Sequence, residues 1–517
     1  GGFDTLLVNI DQLYNMFSYG EYTSLALYRF CRFMAEGGDP DYLFIMGKGL
    51  TGPYLYAYRT SNSETVNRDL IPTGGFPGND VIFTAGLKGA THEAGFPVGR
   101  ISAETPAALE AYLDKVKEME STPHDALWRK ELVHLSGGSD LFQQNLFLRY
   151  VDGFKSIAES ELLGGDVVTI SKKTNGATEL INIAEHVNAG KMLITFFGHS
   201  GATAADIEIG YVTNESLGYR NSGKYPMLIV NGCNAGDMYN TGYGFGEDWI
   251  GTPDKGAVGF MAHTGVGYTT RLKRYTDLFY EVALTDSLYL KKGIGDVLKE
   301  VGKRFLEKYS TSEINISQVQ QMSLQGDPFV SLFGASKPDY EINSDNVFAQ
   351  SIDGEPINVF TDVFNLGLIV RNFGSTHRDS LKVSISRRLS NGQNYLLDTM
   401  VYTPVYYKDT LYFEIETIGI DGFGLNQFTI NLDPLNEIDE LSETNNQTIF
   451  EYFVPLGGTS NIFPANYSII NTKETRLVAH SLDLLMDDRT YIFELDTTNL
   501  FNSPYRKQST VQGRTLA

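Results

Sequence analysis

Two segments of the chain place a nucleophile and a base in matching surroundings. Lys191-Met-Leu-Ile-Thr-Phe-Phe-Gly-His-Ser-Gly201 is an apolar run that ends on His199 among small residues. Pro226-Met-Leu-Ile-Val-Asn-Gly-Cys-Asn-Ala-Gly236 ends in the same way on Cys233, 34 positions later. That interval suits one strand-crossover-strand connection, and parallel strands so joined finish at the same sheet edge, where open α/β sheets bind ligands. A thiol and an imidazole at such an edge can act as nucleophile and general base. Small neighbours let a substrate backbone approach and leave amides free to hold an oxyanion. A buried apolar cysteine and a structural histidine are the plainer readings of each residue alone. The glycine-flanked pair at two strand ends favours chemistry.

The other chemistry-bearing residues carry less. His263 closes the next run, Gly259-Phe-Met-Ala-His-Thr-Gly265, as a rival base or a pocket wall. Cys31 shares one helical face with Leu27, Phe30 and Met34, so it is expected to be an inert core cysteine. The histidines at 92, 124, 134, 186, 377 and 480 show no ligand spacing, and neither H-E-x-x-H nor C-x-x-C occurs. With Cys31 and Cys233 the only cysteines, a disulfide framework and multi-cysteine metal sites are excluded. Asp237, Glu247 and Asp248 follow the cysteine segment as solvated charges or a rim; no spacing supports a structural calcium site, and no cofactor is expected. Gly47-Lys-Gly-Leu-Thr-Gly52 matches G-x-G-x-x-G, yet Pro53 and the strand-like Tyr54-Leu-Tyr-Ala-Tyr58 stand where a phosphate-binding helix should begin.

The elements that must position these residues alternate between strand and helix as far as about residue 335, the pattern of a mostly parallel α/β sheet. Continuous apolar runs at Tyr42–Met46, Leu132–Val133, Val167–Ile170, Met192–Phe197, Met227–Val230 and Ala257–Ala262 suit strands buried on both faces. One helix is predicted from Thr105 as N-cap and Pro106 at its first position, and another over Leu180, Ile183, Ala184 and Val187 up to Gly190. Short β-type runs with polar turns, among them Leu368–Asn372, Leu381–Ile385 and Phe428–Ile430, fill residues 337–455 and predict a small β-sandwich. Gly457-Gly-Thr-Ser460 reads as a linker, and 461–517 as the start of a further β-rich unit.

Composition narrows the partners. Against 63 Asp and Glu stand 41 Lys and Arg, a net charge of −22, so no positive excess exists to neutralise nucleic-acid phosphates or anionic lipid. No apolar run is long enough for a transmembrane segment. The start at Gly1-Gly2-Phe3, without initiator Met or signal peptide, suggests a processed or trimmed piece of something longer.

Taken together, G-H-S-G at 198–201, N-G-C-N-A-G-D at 231–237, Gly244-Phe-Gly-Glu247 and Val98-Gly-Arg-Ile-Ser102 resemble the gingipain-type cysteine peptidases of the caspase-like clan. The resemblance covers roughly residues 1–335, divided into an N-terminal α/β subdomain (1–125, truncated at its start) and a caspase-like catalytic subdomain (126–335). Gln12-Leu-Tyr-Asn-Met-Phe-Ser-Tyr-Gly20, Asp41–Gly47 and Gln325-Gly-Asp-Pro328 are similar to the PorU-like sortase branch of the type IX secretion system. The resemblance implies a peptidase or sortase-like transpeptidase at the bacterial cell surface, acting on exported proteins beside other secretion or outer-membrane components. It makes Cys233 the nucleophile and His199 the base, with the amides of Ser200 and Cys233 as oxyanion hole. Residues 337–455, with Val370-Arg-Asn-Phe-Gly374, resemble an Ig-like module of the kind that follows the catalytic domain in gingipains.

Three departures stand out. Ser200 intervenes between His199 and the glycine that usually follows it. The acid that supports the histidine has its nearest candidate in Asp140, with Glu247 a further candidate for pocket or support. The acid at the base of the gingipain Arg/Lys pocket has no match, so basic specificity does not carry over. The rival expectation is a non-catalytic pseudopeptidase that serves as a binding platform in a secretion or surface complex.

Overall fold

The computed structural model describes residues 4–52, 68–123, 126–465, 468–472, 474–482 and 488–514. The strand expected over Tyr54–Tyr58 and the residue His124 lie outside these. The chain forms two compact units: Gly1–Asp339 with Asn372–Arg378 and Asp439–Leu441, and Tyr340–Arg371 with Asp379–Ile438 and Ser442–Ala517.

The first unit runs α1 (Ile10–Ser18), α2 (Leu25–Gly37), β1 (Leu43–Met46), β2 (Val98–Ile101), α3 (Pro106–Ser121), β3 (Glu131–Ser136), α4 (Leu141–Ala158), β4 (Asp166–Ser171), β5 (Glu179–Leu180), α5 (Ala184–Ala189), β6 (Leu193–Phe197), β7 (Ile207–Glu208), β8 (Met227–Asn231), α6 (Phe245–Gly251), β9 (Gly259–His263), α7 (Thr269–Thr285), α8 (Ile294–Tyr309), α9 (Glu313–Gln321) and β10 (Met322–Gln325). Eight strands form one sheet in the order β1-β2-β10-β9-β8-β6-β3-β4. Neighbours are parallel throughout except β10 and β9, which are antiparallel.

The apolar runs are continuous because both faces of this sheet are covered. Leu132, Leu193, Phe197, Met227, Ile229 and Met261 pack against α4, α7 and α8. Their neighbours in sequence, Val133, Ile194, Phe196, Leu228, Val230, Phe260 and Ala262, pack on the other face with Tyr112 and Val116 of α3 and Trp249 of α6. Successive strand side chains point to opposite faces, so each run feeds two cores, at about 1.5–3 kcal/mol per buried large side chain. Helix α3 starts as expected: Thr105 Oγ1 accepts from the Ala108 amide at 3.2 Å, with Pro106 at the first position. The helix expected from Leu180 begins only at Ala184. Glu179 and Leu180 pair instead with Ile207 and Glu208, and Asn182 Oδ1 takes the Ala184 amide at 2.8 Å. A long-range pairing there overrides local periodicity.

The second unit contains the expected β-sandwich. One sheet holds β11 (Tyr340–Glu341), β12 (Val347–Gln350), β13 (Val363–Asn372) and β17 (Lys408–Glu416); the other holds β14 (Leu381–Arg388), β15 (Asn394–Leu396), β16 (Met400–Tyr402), β18 (Gly424–Leu432) and β19 (Gln447–Val454). Alternate residues Phe364, Leu366, Leu368, Leu381, Val383, Ile385, Phe428 and Ile430 fill the space between them. Gly457 and Gly458 turn the chain with φ of 63° and 75°, but Thr459 and Ser460 already belong to the hairpin strand β20 (Thr459–Phe463). Among the described residues no helix is long and apolar enough to cross a membrane.

Candidate active site

Strands β6 and β8 are paired so that Phe197 lies opposite Asn231. His199 and Cys233 each follow two residues later, which brings both to the same level beyond the sheet. The two loops touch directly: Ser200 Oγ donates to the Cys233 carbonyl at 3.0 Å. Gly232 makes this approach possible, because a Cβ there would sit 2.0 Å from Ser200 Oγ. Asn231 anchors the loop from beneath. Its amide donates to the Phe196 carbonyl at 3.2 Å and its oxygen accepts from Thr276 Oγ1 at 2.6 Å.

After Cys233 the backbone turns sharply, with Asn234 at φ 53°, a conformation that asparagine tolerates better than most residues. The amides of Asn234 and Gly236 donate to the carbonyls of Gly265 (2.7 Å) and His263 (3.1 Å), strapping the turn to the end of β9. Cys233 is partly exposed, and its Sγ lies 3.7 Å from the Gly267 carbonyl. Among the described residues, the amides of Ser200 and Cys233 donate to no protein acceptor.

His199 is exposed, and its ring is held from one side. Nε2 lies 2.7 Å from Gln143 Oε1 in the first turn of α4, and Phe147 meets the ring edge-on with centroids 5.9 Å apart. Gln143 is the residue that sequence reasoning missed. The available signal was a polar side chain in the first turn of the helix that follows β3, the neighbour of β6. Asp206 was missed as well. This buried carboxylate accepts from the Gly138 amide at 2.6 Å, while its own amide donates to the His199 carbonyl at 2.8 Å. Gly137 and Gly198 lie so close that a Cβ on either would fall 2.1 or 2.5 Å from its Oδ1.

The remaining candidates have other employment. Asp140 is the N-cap of α4, accepting from the Gln143 amide at 2.9 Å. Glu247 is buried in an ion pair with Lys48 at 2.5 Å and also accepts from the Gly244 amide at 2.7 Å. Asp248 accepts from the Val212 amide (2.6 Å) and Thr213 Oγ1 (2.7 Å). Burial raises the Asp237 carboxyl above its ordinary range, and the Tyr239 amide bonds to it at 3.2 Å. His263 is buried, its Nδ1 accepts from the Gly265 amide at 3.2 Å, and burial lowers its pKa to about 4. Cys31 lies in the core beside Leu13, Tyr14 and Leu27, where burial pushes its thiol up to about 12. The glycine-rich segment at 47–52 serves packing: Lys48 reaches Glu247, and a Cβ on Gly49 would meet the Ile71 carbonyl at 2.6 Å. Among the described residues no group of three or more His, Cys, Asp or Glu converges as a metal site.

A family model described as peptidase family C25 matches residues 2–333. No curated protein matches the chain. Solved structures that resemble it include the Arg-specific cysteine proteinase gingipain R, at 16% identity over 84% of this chain and 88% of that one, with a TM-score of 0.48. Another is the complex of the RgpB pro- and mature domains from Porphyromonas gingivalis, at 16% identity over 84% and 90%, TM-score 0.46. A CARDB domain from Pyrococcus furiosus matches 23% of this chain and 90% of its own length at 22% identity, TM-score 0.18.

Proposed function

Because the chain belongs to peptidase family C25 and is a cysteine peptidase whose substrates are polypeptides, we propose that Cys233 is its nucleophile and His199 its general base. The observation that carries the reading is the register of β6 and β8, which sets both residues two positions past one hydrogen-bonded level, with Ser200 Oγ bridging to the Cys233 carbonyl.

In the proposed reaction Cys233 Sγ attacks the scissile carbonyl carbon as its proton passes to the His199 ring. The carbonyl electron pair moves onto oxygen, which the amides of Ser200 and Cys233 receive. The tetrahedral intermediate collapses, the C–N bond breaks, and the imidazolium returns the proton to the leaving amine. The thioester is then resolved by water, giving hydrolysis, or by an amine, giving sortase-like transfer. We assign the protein to exported polypeptides at the bacterial surface, in the PorU-like branch linked to type IX secretion. The segments Gln12–Gly20, Asp41–Gly47 and Gln325–Pro328 support that assignment.

The test is peptide turnover with and without an added amine, analysed by mass spectrometry. Cys233→Ala should lower kcat by about 10⁴-fold or more, and a thiol-directed acylating probe should label Cys233 in the folded protein. Unchanged turnover in Cys233→Ala would remove the assignment. An amine-ligated product identifies transfer, and a product with a free carboxylate alone, in the presence of the amine, identifies hydrolysis.

A further inference from the structure

We infer that Gln143 is the positioning residue for His199: its side-chain oxygen fixes which ring nitrogen carries the proton and turns the other toward the Cys233 side of the site. The functional meaning rests on the roles proposed for Cys233 and His199, whereas the tautomer follows from hydrogen bonding alone.

Gln143 Oε1 has three neighbours able to donate: the Ser139 amide at 3.1 Å, Ser139 Oγ at 2.8 Å and His199 Nε2 at 2.7 Å. A backbone amide can only donate, so the group facing Ser139 is the oxygen of Gln143 and not its NH₂. An oxygen held in that orientation can only accept, so the proton of neutral His199 lies on Nε2. The lone pair that takes a proton from a thiol is therefore on Nδ1. The strand order gives this a direction. Helix α4, which carries Gln143, follows β3 on one side of β6, and Cys233 follows β8 on the other.

Gln143 is itself held in a closed circuit. Asp206 accepts from the Gly138 amide at 2.6 Å, Ser139 follows and donates twice to Gln143, and Gln143 holds the His199 ring. The Asp206 amide donates at 2.8 Å to the His199 carbonyl and completes the loop. Both the backbone and the ring of His199 are thus tied to one residue: the carbonyl to the Asp206 amide, and the ring, through Gln143 and the Gly138-Ser139 turn, to its buried carboxylate. The group that touches the ring is a neutral amide, which fixes the tautomer and orientation as a backbone carbonyl would, without the countercharge of a carboxylate.

The experiment combines ¹⁵N-histidine spectra with kinetics on the full chain, the His199 signals being identified by their loss in His199→Ala. At a pH where the ring is neutral, Nε2 should resonate as a protonated nitrogen and Nδ1 as a lone-pair nitrogen. Gln143→Leu should give a mixture of tautomers and lower kcat by roughly 10–100-fold, with KM little changed. Gln143→Glu keeps an acceptor for Ser139 and for the ring, so it should restore the single tautomer and most of kcat. A wild-type spectrum with the proton on Nδ1, or tautomer populations in Gln143→Leu equal to the parent's, would overturn the inference. Equal damage in the Leu and Glu variants would also overturn it. The spectra read positioning even if Cys233→Ala retains turnover, so the two readings fail separately.

Discussion

Gly232→Ala tests whether the two loops have to approach as closely as they do. A Cβ on Gly232 falls 2.0 Å from Ser200 Oγ, 2.9 Å from Ser200 Cβ and 3.2 Å from the Ser200 amide nitrogen. The hydroxyl can rotate away, at the loss of its 3.0 Å bond to the Cys233 carbonyl. The Cβ and the amide belong to the backbone frame and must retreat. Reaching ordinary carbon contact of about 3.5–4.0 Å from 2.9 Å takes a shift of roughly 0.6–1 Å. That shift falls between the proposed base and nucleophile, where a misplacement of about 1 Å can cost on the order of 10²-fold in rate. Overpacking adds about 1–3 kcal/mol of lost stability. Peptidase kcat/KM and the denaturation midpoint should therefore both fall. Ser200→Gly in the same chain removes the Oγ and Cβ contacts, so the double variant should recover much of both losses. Ser200→Gly alone should cost about 1 kcal/mol for its hydrogen bond. If Gly232→Ala keeps kcat/KM within about threefold of the parent, or if Ser200→Gly brings no relief, the close approach is not what the site depends on.

Other expectations concern residues around the site. Cys31→Ala should cost roughly 1–2 kcal/mol of folding stability, read by denaturant unfolding, and leave turnover intact. In the intact protein Cys31 should stay unlabelled by iodoacetamide at neutral pH, because burial holds it as the thiol. His263 sits neutral in the fold with its pKa lowered to about 4. Between the ordinary value near 6.5 and that folded value, the unfolded chain binds the extra proton. Stability should therefore fall as pH drops from about 6.5 to about 4, and His263→Gln should flatten that part of the curve in urea melts. Glu247→Ala strands the buried Lys48 charge and should cost about 3–5 kcal/mol in the same assay, whereas Glu36→Ala in the exposed Arg32 pair should leave the midpoint essentially where it is.

What the sequence makes legible follows from which interactions are local. Strands β6 and β8 stand out because a doubly covered strand must be apolar without interruption, and the abrupt change to Gly-His-Ser-Gly and Gly-Cys-Asn-Ala marks their ends. Helix α3 announces itself through Thr105 and Pro106. Gln143 does not, because it meets His199 across 56 positions and a neutral amide attracts no notice when a carboxylate is sought. Pro53 already argues against a phosphate loop at 47–52, but the partner of Lys48, Glu247, lies 199 positions on and cannot be read from the sequence. Leu180 and Ile183 have helical spacing, yet a two-residue pairing with Ile207 and Glu208 settles the backbone first. Each of these depends on a contact that only the assembled sheet creates.

The antiparallel strand β10 also sets an order of events. It is the element that connects β1 and β2 to β9 in the sheet, and it occupies residues 322–325, close to the end of the first unit. During synthesis β1 and β2 leave the ribosome before β10 and cannot join the rest of the sheet until Met322–Gln325 arrives. Strands β3, β4, β6, β8 and β9 can pair with one another before that. For this interval the growing chain exposes two unsatisfied sheet edges, at β9 and at β2, each a template for pairing with another chain. Both edges disappear together when β10 takes its place between β9 and β2.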